Sequence, residues 1–110
     1  MTGEKTRATG MPELDPVIHA QARLRVMVAL AALGPDDQVT FPRLRQLLDM
    51  TAGNLSIHLR KLEEVGYVEI VKAHQRRTPV TFVRLTQAGR VAFDRYVAAV
   101  RSLLPEPTTS

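Results

Sequence analysis

Asn54, Ile57, Arg60 and Lys61 recur at intervals of three and four residues in a stretch that ends at Gly66. On a helical wheel of about 100° per residue Gly53, Ile57, Arg60, Lys61 and Glu64 share one face, with Asn54 and Ser56 at its flanks. Leu55, Leu59, Leu62 and Gly66 fall on the opposite face. An isoleucine on a polar face has no packing role inside its own subunit. In the DNA major groove it has one, because apolar side chains contact the thymine methyl. Asn54 can pair with adenine there, and Arg60 or Lys61 with guanine or a phosphate. The competing reading of Arg60, Lys61 and Glu64 is a solvated helix face, and charge alone does not separate the two. His58 lies at the edge of the leucine face and reads as a packed, hydrogen-bonded histidine rather than a base reader.

A second group of candidates follows. Lys72, His74, Arg76 and Arg77 lie in a polar, basic stretch suited to phosphates or to a narrow minor groove. Between His58 and Arg90 there are seven Lys or Arg against three Glu, an excess equal to the whole chain's net charge of +4. The positive charge is therefore concentrated where these candidates lie. Neutralising phosphates there gives salt-sensitive binding.

Other chemistries lack their residues. The chain has no Cys, which removes disulfides, thiol nucleophiles and thiolate metal sites. His19, His58 and His74 are far apart, and no two have the i, i+4 spacing of a helical metal site. Ser56 and His58 point in different directions on one helix and make no nucleophile–base pair. No Gly-rich phosphate loop appears, and no catalytic or cofactor site is expected. Asn54-Leu55-Ser56 matches a glycosylation pattern only by accident, inside a helix with no signal peptide before it. The longest apolar run, Val26 to Leu33, is under half of the ~20 residues that span a bilayer, so a cytoplasmic protein without membrane contact is expected.

Elements must hold these residues in place. The 110-residue length predicts one domain, at residues 14–104, with a flexible arm at 1–13 and a loose tail at 105–110. A first helix is expected from Asp15-Pro16 to a stop at Gly34-Pro35. Thr40 caps a second helix over 41–49, with Phe41, Leu44, Leu47 and Leu48 as its stripe. Thr51 caps the third. Tyr67 to Lys72 and Val80 to Leu85 read as two strands, with Val80, Phe82 and Leu85 on mixed faces. Ala73 to Pro79 is expected as a moderately long tip between them. Thr86 caps a last helix running to Leu104.

The fold class is mainly α with a small β-hairpin wing: a winged helix-turn-helix with extra N- and C-terminal dimerisation helices. The all-apolar half of the first helix needs cover on every side, and the last helix carries a broad apolar face. Val17, Leu24, Val28, Tyr96, Val97, Val100, Leu103 and Leu104 are the candidate homodimer contacts.

Thr51-Ala52-Gly53-Asn54-Leu55-Ser56 with His58-Leu59, Leu62-Glu63 and Gly66-Tyr67-Val68 resembles winged-helix transcriptional regulators related to the MarR and ArsR families. It is particularly similar to the short, MarR-like group. Leu85-Thr86, Gly89-Arg90, Ala92-Phe93 and Tyr96 resemble the entry to that group's last helix. The likeness covers Asp15 to Leu104. It implies a homodimer on double-stranded DNA, frequently a repressor, whose third helix (51–65) reads the major groove and whose wing (72–79) meets the backbone or minor groove. On this reading Thr51, Gly53, Asn54, Ser56, Ile57, Arg60 and Lys61 join Lys72, His74, Arg76 and Arg77 at the DNA. Members of the wider families respond to small phenolic ligands or metals. The thiolate metal motif is absent here, and no residue marks an effector pocket. The alternative is a winged helix used for protein contacts within a larger assembly.

Overall fold

Among the described residues, threonine hydroxyls start three of the four helices. The computed structural model describes residues 13–105. Its elements run α1 (Gln21–Ala31), β1 (Val39–Thr40), α2 (Phe41–Leu48), α3 (Ala52–Glu64), β2 (Val68–Gln75), β3 (Thr78–Leu85) and α4 (Gln87–Leu103). The Oγ1 of Thr40 accepts from Arg43 N at 3.2 Å, that of Thr51 from Asn54 N at 3.1 Å, and that of Thr86 from Gly89 N at 2.9 Å. Each bond satisfies a helix N–H that has no partner within its own helix. Asp49, in the left-handed region at φ 54°, ends α2, and Gly66 at φ 82° follows α3. The mainly helical winged helix-turn-helix read from the sequence is the fold observed. The expected arm at 1–13 lies outside the described residues except for Glu13, as does the expected tail at 105–110 except for Pro105.

The first helix starts later than expected. Asp15 does cap a turn, its Oδ1 accepting from Val17 N at 2.9 Å and Ile18 N at 3.3 Å. Ala20 then adopts an extended conformation, and α1 begins at Gln21 with no side-chain cap. Tertiary anchoring overrides continuity. Ile18 is fully buried, Asp15 Oδ2 accepts from Tyr67 Oη at 2.5 Å, and Arg23 Nε donates to Val17 O at 2.6 Å.

The wing is a three-stranded antiparallel sheet in the order β1-β3-β2, not the two-stranded hairpin expected. Val39 pairs with Val83, and the β2–β3 ladder runs from Val68↔Leu85 out to Gln75↔Thr78. The expected long tip at 73–79 is therefore only Arg76-Arg77. Its polar flanks read as loop in the sequence, but the backbone ladder continues through them.

The core gathers Ile18, Val26, Met27, Leu30, Leu44, Leu48, Leu55, Leu59, Leu62, Val68, Val83, Leu85 and Tyr96. Leu47 departs from its expected stripe and is exposed, because the buried face of α2 is carried by Leu44 and Leu48. Gly66 is exposed rather than core-facing, since it lies beyond the last turn of α3. Side chains tie helix ends together. Thr86 Oγ1 donates to Gly66 O at 2.5 Å, and Arg90 donates to Ala31 O and Leu33 O at 3.4 and 3.3 Å. No helix among the described residues is long and apolar enough to cross a membrane.

Two glycines separate crowding from helix propensity. A Cβ on Gly89 lies 2.1 Å from Tyr67 O, whereas one on Gly53 meets nothing within 4 Å. Gly89→Ala is expected to cost about 2 kcal/mol or more. Gly53→Ala is expected to be neutral or stabilising by up to about 1 kcal/mol. Urea unfolding of both variants checks this.

The Tyr67 hydroxyl gives a pH test. Its pKa is pushed up to about 12, first by the hydrogen bond to Asp15, then by burial and the Asp15 charge, against a smaller opposing pull from Arg95. The folded chain thus holds this proton more tightly than the unfolded chain. The resulting stability is whole below about pH 10 and is lost as the pH rises toward 12. Tyr67→Phe is expected to cost about 1–2 kcal/mol near neutrality and to flatten the alkaline limb of a stability–pH curve.

Candidate nucleic-acid interface

The site grows from the burial of one side of α3. Leu55, Leu59 and Leu62 are at most 1% exposed, which turns the opposite side outward. Thr51, Gly53, Asn54, Ser56, Ile57, Arg60 and Lys61 are all exposed, Ile57 at 63%. The Thr51 hydroxyl accepts from Asn54 N to cap the helix, which leaves its own proton to donate.

The wing completes the surface. A groove of about 680 Å³ runs between α3 and the sheet, lined by Ser56, Leu59, Arg60 and Glu63 of α3, Ile70, Lys72, Thr81 and Phe41. Arg60 and Lys72, far apart in sequence, thus share one cleft. Glu63 and Thr81 line it too and were not singled out in the sequence. His74, Arg76 and Arg77 are exposed toward the far end of the hairpin, away from this groove. Among the described residues, Arg60, Lys61, Lys72, Arg76 and Arg77 form no ion pair; the wing's bridge joins Arg84 to Glu69 at 2.6 Å.

Sequence reasoning placed α2 but did not single out its exposed residues. Arg43, Arg45 and Gln46 are exposed there and border a second depression with Pro42, Asp49 and Met50. Arg43 Nη1 donates to Gln46 Oε1 at 3.2 Å. The first helix of a helix-turn-helix crosses the DNA backbone, so basic residues on the helix before the turn were the available signal. His58 also corrects an expectation. It is half-buried, but its Nδ1 is sealed from solvent with no hydrogen-bond partner among the described residues. On the wheel it borders the leucine face, which offers no acceptor.

The family of winged helix DNA-binding domains matches residues 22–104. The chain belongs to this family. A similar curated relative is an uncharacterised protein of Methanocaldococcus jannaschii, 33% identical over 87 residues that cover 79% of this chain and 91% of that protein. Among solved structures, the fold resembles a transcriptional regulator homologue from Pyrococcus horikoshii OT3. The TM-score is 0.72 at 30% identity, covering 79% of this chain and 83% of that one. It also resembles MepR of S. aureus in a DNA complex, with a TM-score of 0.68 at 18% identity over 92% of this chain and 78% of that one. The latter likeness is one of fold.

In this winged helix the residues expected at a subunit contact separate into groups. Val28 and Leu104 are 50% and 60% exposed. Val17, Leu24, Val97, Val100 and Leu103 are half-buried, with Val17, Leu24 and Val100 packed against their own core. Tyr96 is placed differently from its expected role. It is buried inside its own chain, with its hydroxyl 2.8 Å from His19 Nδ1.

The wing tip is strained. Arg76 and Arg77 have φ of 51° and 70°, the positive pair that a two-residue hairpin turn requires and that Asn-Gly supplies most easily. A non-glycine residue there costs about 1–2 kcal/mol. The double change Arg76→Asn, Arg77→Gly is expected to raise stability by about 1–2 kcal/mol while removing two cations from the tip, as read by thermal unfolding.

Proposed function

We propose that this chain is a sequence-specific DNA-binding transcriptional regulator, a repressor that acts as a homodimer by occupying promoter DNA. The observation that carries the reading is the outer face of α3, where Asn54, Ile57 and Arg60 are exposed and Arg60 forms no ion pair among the described residues. Ile57 meets a thymine methyl, Asn54 an adenine edge, and Arg60 or Lys61 a guanine or a phosphate. Arg76 and Arg77 meet the backbone or minor groove, and Arg43 and Gln46 the flanking phosphates. The family match and the DNA-bound MepR structure support this placement. Val28 and Leu104 supply exposed apolar surface for a second copy, which sets two recognition helices about one DNA turn apart. The unpaired cations favour DNA over a protein partner, although Ile57 by itself fits either.

Selection of bound duplexes from a random pool tests the whole reading. A palindromic consensus with half-site centres about 10 bp apart is expected. Retention of no duplex even at low salt overturns it. On the selected duplex, Arg60→Ala is expected to cost about 1–3 kcal/mol and to relax one base position. Arg76→Ala with Arg77→Ala is expected to weaken all sequences alike and to lower the salt slope by up to about two.

A further inference from the structure

We propose that Arg25 of α1 is a positioning residue for DNA reading, holding the turn between α2 and α3 and so setting where α3 stands relative to the subunit contact. The inference rests on the DNA-reading homodimer proposed above. Arg25 Nη2 donates to Leu48 O at 2.6 Å across 23 residues of sequence. Leu48 is the last residue of α2, where carbonyls lack helical partners and carry partial negative charge. A guanidinium suits that site. The carbonyl is the only partner that Arg25 has among the described residues.

The turn itself needs holding. Its first residue, Asp49, is a non-glycine in the left-handed region, at φ 54°. On its other side Arg45 Nε donates to Met50 O at 3.0 Å, and Met50 N donates to Arg45 O at 3.2 Å. The turn is thus gripped by one arginine from α2 and one from α1. Only Asp49 and Met50 separate Leu48 from Thr51, the cap of α3. A shift of the Leu48 carbonyl therefore moves the first turn of α3, which carries Asn54.

The other end of the linkage is α1 itself. Val26 and Met27, beside Arg25 in sequence, are fully buried and fix the helix on the core. Val28, one turn beyond Arg25, is half exposed on the surface proposed for the second copy. Contact between copies and placement of the recognition helix thus meet on one short stretch, 25–28. Arg25 is exposed, but its Nη2 is engaged by Leu48 O, and this bond rather than a phosphate is the role assigned to it.

The test uses the full chain, Arg25→Gln and Arg25→Lys. The probes are a duplex selected by the wild type from a random pool, versions with the half-site spacing changed by one or two base pairs, and an unrelated duplex of equal length. Arg25→Gln is expected to lose about tenfold or more on the selected duplex and to discriminate less between spacings. On the unrelated duplex its affinity stays within about twofold, with the salt slope unchanged. Arg25→Lys, which keeps a cationic donor on a long stem where glutamine has only a shorter, neutral amide, recovers most of the loss. Unaltered affinity and spacing preference in Arg25→Gln overturn the proposal. So does an equal loss on both duplexes with the salt slope reduced by about one, which marks a phosphate contact. A glutamine variant that circular dichroism shows to be unfolded, with a lysine variant that folds but reads DNA no better than background, likewise overturns it. A wild type that selects no duplex removes the DNA reading itself and this proposal with it; a wild type that selects one leaves any failure to Arg25 alone.

Discussion

Leu55, Leu59 and Leu62 are buried to within 1% of completely, and the direction of α3 follows from that contact. Truncating one such leucine costs about 2–5 kcal/mol, against a total stability of about 5–15 kcal/mol for a domain of this kind. The helix therefore has no affordable alternative rotation. Ser56, Ile57, Arg60 and Lys61 face outward because their neighbours must face inward. The reading surface is a by-product of core formation, and its rigidity comes from the core.

The helix ends complete the frame. Thr86 reaches the carbonyl of Gly66, and Arg90 reaches those of Ala31 and Leu33. Each bond places a donor from one element on acceptors that another element leaves unpaired. Such contacts fix relative positions better than the exposed Arg84–Glu69 bridge, whose partners remain 36% and 49% exposed. A surface ion pair of that kind contributes about 0–1 kcal/mol. The wing is held to the body by Val68, Val83 and Leu85 in the core, and its far end is free to carry strained, unpaired arginines.

Helix starts were legible because capping is local. Thr40, Thr51 and Thr86 each bond a backbone N–H three residues away, a distance that sequence spacing states directly. The α3 surface was legible for the same reason, since a helical wheel needs no knowledge of other elements. The break before α1 was not, because Asp15 and Ile18 answer to Tyr67 and the core rather than to their neighbours. The short wing tip was missed because polar residues in a solvated ladder look like a loop. The third strand was missed because two residues carry no period.

The amino-acid order alone determined where α2, α3 and α4 start, which side of α3 carries chemistry, and where positive charge collects. Those properties depend on contacts within about four residues. Tertiary structure decided that Arg60 and Lys72 share one groove, that Tyr96 is spent inside its own chain, that His58 is left without a partner, and that Arg25 reaches the turn before α3. Each of these joins residues distant in sequence, and only the packing of the whole core brings such residues within reach of one another.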